Sequence, residues 1–437
     1  MVRRALEGYS LALLPALLLF NLVTAQRVLP TGPYPLTLFG VVALPLVVVG
    51  LALWRWLPGR RRLWPASWPV VAAFGVLLLW AAVSGLGKVR EARISELGTN
   101  SLVLPDWVAY VPLMEAAAAI VSAWLLVAAT RPDALRARLF QVCALMLACG
   151  VIGEARALTD KRIDSRLDTG LGGAAVLPVV FILVTATLLG LAASGYRRRV
   201  CGALAAVAMF ELLLTGSRSG AIMLVLLLLL GAAGWWASGR RSLRDTGRGL
   251  AIAGGVVAVG AALTYFVPEL RRIFHTTDPS REQNAVTAWG IVTQDWHRVL
   301  FGMGTGVIWP WYASDAHVLP DQVPKPWTWV SVPYSDGFLL QSPHSLLLGV
   351  FVELGLVGVL ILAVLLGLLA AAAWRARRRP LQGMMLAGVV ATFAAFPFDH
   401  YLLRNFGVSW MWWFFGFAAL ALTAQPKVAR EGETPGP

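Results

Sequence analysis

Charged residues are scarce in this 437-residue chain. Asp, Glu, Lys and Arg together make up 14% of it, against about 25% in an ordinary soluble domain. Cysteine is scarcer still, with Cys143, Cys149 and Cys201 all inside apolar blocks. Cys143 and Cys149 lie six residues apart on one helix, beyond bridging distance, so no disulfide or thiolate-metal framework is implied. A repeat with a period of about 20–50 residues is missing, as is a matched pair of interrupted spans, which weakens an inverted-repeat transporter. What fills the chain instead is hydrophobic residues, at 58%. They come in runs of about 17–30, long enough to cross a bilayer. A soluble enzyme, a disordered chain and a secreted disulfide scaffold are excluded. The composition is that of an all-α, polytopic membrane protein.

Twelve spans are expected, at about 5–25, 36–54, 67–86, 106–129, 139–154, 172–194, 200–215, 220–238, 249–267, 344–374, 382–398 and 407–423. The first block also resembles a signal peptide, with Arg3-Arg4 before the apolar run and Val23-Thr24-Ala25 after it; the topology downstream is the same either way. With the N-terminus inside, the inner segments collect 22 of the 37 basic residues and five of the 23 acidic ones, a net +17. The outer side sums to zero, and Glu115, Glu211 and Glu353 within spans bring the total to +14. That asymmetry follows the positive-inside rule. It also turns the net charge into an orientation signal and removes nucleic acid as the implied partner. The organisation is then spans one to nine over 1–267, one large external segment over 268–343, spans ten to twelve over 344–423, and a polar tail over 424–437 expected to be disordered on the cytoplasmic side. All five histidines fall outside or at that boundary, so titratable chemistry belongs to the outer face.

Within the external segment, Ser280 and Gln283 fit a capping box. Ala285, Trp289, Val292, Trp296 and Val299 recur at helical spacing up to Gly302, predicting an amphipathic helix of about 20 residues. Arg281 in its first turn opposes the helix dipole. It either pairs with Asp278 or Glu282, or joins free backbone N–H groups to hold a phosphate. Gly302, Gly304 and Gly306 read as a tight loop, without the preceding strand of a dinucleotide site. Trp309, Trp311, Trp327 and Trp329 either anchor at the lipid headgroups or contact sugar and lipid. Ser342-Pro343-His344 reads as N-cap, first and second helical positions of the tenth span, where the positive dipole end favours a neutral imidazole able to accept a proton. A boundary histidine is also commonly just interfacial. Glu353, nine residues on, turns to the opposite face and sits about 13 Å deeper, so it reads as a buried group with another partner. In the turn between spans seven and eight, Arg218 lies among Thr215, Gly216, Ser217, Ser219 and Gly220; it either snorkels to water or lines an anion pocket. Asp399-His400 and Arg404 occupy the last outer turn, where an Asp-His pair could bind a metal or assist a base, though no spacing demands either.

Taken in order, Leu-Thr-Gly-Ser-Arg-Ser-Gly (214–220), the helix led by Arg281 with its glycine-rich end (302–306), and Ser-Pro-His-Ser-Leu-Leu (342–347) running to Glu353-Leu-Gly-Leu-Val-Gly358 resemble the O-antigen ligase/polymerase superfamily of inner-membrane glycosyltransferases. The likeness spans roughly residues 200–375 and is nearest to the lipopolysaccharide O-antigen ligases. It implies a GT-C-like helical fold and an active site facing the periplasm of a Gram-negative bacterium. The implied donor is O-antigen on undecaprenyl pyrophosphate, and the implied acceptor a sugar hydroxyl of lipid A–core. His344 would be the base, Arg218 and Arg281 would hold the pyrophosphate, and Asp399, Ser217 and Ser219 would support them. No cofactor and no metal are implied; membrane lipids are the surrounding partners. Two other readings stay open: a polymerase or protein O-oligosaccharyltransferase of the same superfamily, and a flippase or exporter of lipid-linked glycan. Intramembrane polar groups are few and the Arg/His set gathers on one face, which favours an enzyme.

Overall fold

The computed structural model describes residues 57, 60–93, 101–103, 105–131, 133–159, 176–237, 255, 279–309, 332–334, 337–339 and 342–423. The helices are α1 (Arg60–Ser84), α2 (Val111–Ala129, entered through a 3-10 turn Asp106–Tyr110), α3 (Leu135–Thr159), α4 (Leu177–Ala193), α5 (Arg198–Leu214), α6 (Arg218–Ala237), α7 (Pro279–Val292), α8 (Trp296–Phe301), α9 (Leu346–Ala376), α10 (Pro380–Ala391), α11 (Tyr401–Arg404) and α12 (Phe406–Thr423). Two antiparallel ribbons complete the described residues, β1 (Glu91–Arg93) with β2 (Ser101–Val103) and β3 (Val332–Tyr334) with β4 (Gly337–Leu339). Among the described residues, four helical stretches are long and apolar enough to cross a bilayer, Leu63–Ser84, Asp106–Ala129, Leu135–Ile152 and Leu346–Ala376, which marks a membrane protein. Helices stand at nine of the twelve expected spans. The other three, at 5–25, 36–54 and 249–267, lie outside the described residues apart from Gly255, as does the tail.

A helix that is hydrophobic all round belongs in the centre. In α4 every residue from Leu177 to Leu188 is buried, and α2 and the aromatic-rich α12 are enclosed almost as fully. Around them, α1 and α9 turn Leu79, Leu360 and Val364 outward, the lipid side of a bundle. Small residues set the spacing, as expected where close backbone approach drives helix association. Gly190 lies against the Leu381 backbone and Gly388 against Ala186, so α4 and α10 run antiparallel. Gly231 against Met384 and Gly234 against Arg377 do the same for α6 and α10. Polar side chains turn back on the helices or bridge them: Trp124 Nε1 donates to Ser67 Oγ at 2.8 Å, and Trp412 Nε1 to Thr392 Oγ1 at 2.8 Å. The antiparallel pairing sorts the ends. Arg197–Arg199 and Arg375–Arg379 sit at one end, while the starts of α4, α6 and α9 and the end of α10 share the other.

The longest helix is broken. At Gly355 the backbone takes φ 68 and ψ −168, which interrupts the hydrogen-bond ladder and frees the carbonyls before it. Their acceptors are filled from elsewhere. Met303 N donates to Val352 O at 2.8 Å and Gly304 N to Glu353 O at 2.9 Å, and Trp80 Nε1 donates to Leu354 O at 2.9 Å. The approach is so close that a Cβ on Gly302 would strike the Glu353 carbonyl, and one on Gly355 would strike that of Leu300. Gly355→Ala should therefore lower stability by about 1–3 kcal/mol, read as a lower melting temperature in detergent. Gly367→Ala, where a Cβ meets nothing within 4 Å, should not lower it. Equal melting of the two variants would show that the break imposes no constraint.

Candidate functional site

The end of the bundle that carries the candidate residues is organised by the stretch 392–400, between α10 and α11. Leu346 N, at the head of α9, donates to Phe396 O at 2.8 Å and to Asp399 O at 3.2 Å. Ser345 Oγ reaches Phe396 O at 3.2 Å, and Arg281 Nη1 donates to Phe398 O at 2.9 Å. The start of α6 packs beside residues 392–395. Burial pushes the Tyr401 hydroxyl well above the ordinary phenol range, so it stays protonated and donates to Thr392 O. One turn thus ties together the surroundings of His344, Arg281, Asp399 and, through its helix, Arg218.

His344 does not sit inside α9. The expected caps are displaced by three residues: Ser345 is the N-cap, its hydroxyl accepting from Leu348 N at 3.1 Å, and the helix starts at Leu346. Ser342 and Pro343 are buried in the approach to it. His344 itself is left-handed, with φ 49, a conformation that costs a non-glycine residue about 1–3 kcal/mol and gathers at functional sites. The half-buried ring follows from that backbone and is not carried by helix register.

Arg218 is the first residue of α6, with Ser217 before it as cap. Ser217 Oγ accepts from Gly220 N at 3.3 Å and bonds Ser219 Oγ at 2.9 Å. Both serines are thus engaged in holding the turn that presents Arg218.

The external helix is two helices. α7 ends at Val292, and α8 restarts behind an Asp295 cap that accepts from His297 N at 2.9 Å. The capping box is not formed either, because Ser280 lies within α7 and Gln283 Nε2 bonds Thr287 Oγ1 instead. The buried face is Asn284, Thr287, Ala288, Ile291 and Val292, one step round from the expected one. Trp289 and Trp296 consequently face outward, 56% and 65% exposed, as headgroup anchors do. Trp309 has the opposite fate. It is fully buried, with Nε1 donating to Asn284 Oδ1 at 3.3 Å, so it packs the base of the external segment and offers no face to a sugar. Trp311, Trp327 and Trp329 lie outside the described residues.

A small cleft lies under this layer. Its walls are Ala81, Ala109, Pro112, Leu113, Leu346, Gly349, Val350 and Leu403, and its polar contributors are Thr305, Gly306, Glu353 and His400. Glu353 Oε1 accepts from Gly306 N at 3.2 Å; this backbone group is the partner that the sequence left unspecified. The loop is pinned from the far side by Arg90, which is almost wholly buried. Its Nε donates to Thr305 O at 3.2 Å, its Nη2 to Gly85 O at 2.6 Å and its Nη1 to Asp106 Oδ1 at 2.8 Å. Thr305 Oγ1 adds a bond to Ala81 O at 2.6 Å. Arg90, Thr305 and Asn284 carry no motif. Their partners are far along the chain, and no local signal announces them.

Asn284 joins two layers, since its Nδ2 also donates to Pro343 O at 3.3 Å. Asn284→Ala should leave the Trp309 N–H unmet and cost about 1–3 kcal/mol, measurable as a lower melting temperature. A variant as stable as the parent would show that the contact is incidental. The chain matches no protein-family model and no curated protein, so geometry and chemistry carry the functional argument.

Proposed function

We propose that the protein is a multi-pass glycosyltransferase of the Gram-negative inner membrane. In this reading it has twelve spans and moves O-antigen glycan from undecaprenyl pyrophosphate to a sugar hydroxyl of lipid A–core on the periplasmic side. The observation that carries the reading is the strained, left-handed His344. It stands where a single turn also receives Arg281 and the helix of Arg218. The resemblance in motif order adds to it.

The chemistry balances as one displacement. The acceptor hydroxyl oxygen bonds to the anomeric carbon of the donor, the bond from that carbon to the pyrophosphate oxygen breaks, and the hydroxyl proton passes to a neutral His344. Undecaprenyl pyrophosphate leaves as an anion. Arg218 and Arg281 stabilise its growing charge with planar donor forks, and the group needs no proton to depart. Attack opposite the leaving group inverts the anomeric centre. Neither a nucleotide nor a metal enters these steps. Asp399, Ser217 and Ser219 would hold the machinery in place.

His344→Ala should reduce transfer by about 10²–10⁴-fold, the usual contribution of a general base, with insertion and melting preserved. Near-native transfer would refute the base assignment. Arg218→Lys and Arg281→Lys should each lose most activity, because a point charge does not replace the fork. Full activity in both would refute the clamp. A deletion strain scored by lipopolysaccharide banding separates the superfamily's activities. Loss of the ladder with lipid-linked glycan accumulating means ligase. A single repeat on core means polymerase, and a glycosylated protein in place of core means a protein oligosaccharyltransferase.

A further inference from the structure

We infer that Asn284 is a positioning residue for His344: its amide fixes the peptide plane before the imidazole and ties the base to the helix that carries Arg281. That role rests on the glycosyltransferase reading and deepens it. Left-handed backbone is strained in a residue with a side chain, and such strain persists only where the surroundings over-determine it. At His344, with φ 49, the determinants sit on both sides. The angle φ is the rotation between the peptide plane shared with Pro343 and the rest of the residue. It is set only when that plane and the one that follows are both held. The following side is held at Ser345 and Leu346, whose bonds run to the Phe396 and Asp399 carbonyls. The preceding plane is held at its oxygen, where Asn284 Nδ2 donates to Pro343 O at 3.3 Å. Pro343 is braced by α9 as well, since a Cβ on Gly349 would stand only 3.2 Å from Pro343 Cγ.

The residue type follows from what it bridges. Trp309 Nε1–H is a donor only, and the Pro343 carbonyl an acceptor only. Both residues are buried, so a side chain between them must accept from one and donate to the other. An amide does both. Trp309 Nε1 donates to Asn284 Oδ1 at 3.3 Å, which turns Nδ2 toward Pro343 and gives the amide a single orientation. Asn284 lies three residues after Arg281 on α7, and Arg281 Nη1 donates to Phe398 O at 2.9 Å. The bonds close a ring from α7 to Pro343, from Leu346 to the Phe396 and Asp399 carbonyls, and from Phe398 back to α7. His344 stands in the first arc and Arg281 in the last, so one joint places both the base and the guanidinium.

The test uses the full-length protein in nanodiscs and separates positioning from stability. Asn284→Ala and Trp309→Phe both break the Trp309–Asn284 bond and should both melt lower. Only the first removes the donor to Pro343. It alone should lose kcat, by about 10²-fold, the effect of misplacing a catalytic group by about 1 Å, with KM for donor and acceptor unchanged. Asn284→Leu combined with Trp309→Phe strands no indole N–H, so melting should recover while kcat stays low. A kcat that follows melting across the three variants would overturn the inference. Position is read without turnover from the rate at which diethylpyrocarbonate modifies His344, followed by mass spectrometry. The rate should rise severalfold in both Asn284 variants and stay parental in Trp309→Phe. A parental rate in the Asn284 variants refutes the positioning role, and the double variant decides it if Asn284→Ala fails to fold. If the rate shifts as expected in a protein that transfers no glycan, the glycosyltransferase reading fails and the joint stands.

Discussion

The break in α9 at Gly355 is the constraint on which the surrounding structure depends. Inside an apolar bundle there is no water to bond a freed carbonyl, and each unmet group costs several kcal/mol. The carbonyls of Val352, Glu353 and Leu354 must therefore find donors, and they find Met303 N, Gly304 N and Trp80 Nε1. A bond to a loop backbone requires that backbone to touch the helix, so Gly302 and Gly355 have no room for a side chain. Once the loop is seated, Thr305 and Gly306 are fixed beside Glu353, and Arg90 can lock them from outside. A straight span would have needed none of this, and would have left neither the loop nor the cleft a defined place.

The turn 392–400 does for the polar residues what the break does for the loop. Its carbonyls accept from the head of α9 and from Arg281, and its first residues pack on α6. Residues more than a hundred positions apart thereby share one end of the bundle. The arginine clusters at 197–199 and 375–379 lie at the opposite end, so the basic excess and the candidate chemistry are separated by the thickness of the bundle. That separation is the one expected if the first is an orientation device and the second a working face.

The helices at nine of the expected spans were readable because each is a long apolar run closed by a short polar turn, a signal that needs no tertiary information. Caps were less so. Ser342-Pro343 looks like a helix start, yet Ser345 takes that role because the Phe396 and Asp399 carbonyls capture Leu346 N, a contact 50 residues distant. The external segment misled for a related reason. Its tryptophans set the apparent apolar face, but on a membrane surface the outward side is also apolar, so hydrophobic period alone could not say which face was buried. Trp289 went outward and Asn284 inward, where a polar group paired with Trp309 and Pro343 packs well. The candidate residues His344, Arg218 and Arg281 were legible only as a motif order. The residues that hold the cleft, Arg90 and Thr305, depend on pairing across 215 positions, and nothing in either local sequence encodes it.

The depth of the intramembrane carboxylates bears on whether this end works as a reaction face or as the mouth of a path. Glu115 is four residues into α2, Glu211 three from the end of α5 and Glu353 seven into α9. At 1.5 Å per residue all three lie within about 11 Å of the candidate end. None stands near the arginine-rich end. A passage for a polyhydroxylated glycan would need hydrogen-bonding groups at successive depths, because each sugar loses its water on entering. These three carboxylates form a shallow layer and not a ladder. The placement of these carboxylates is compatible with the proposed transfer at one face.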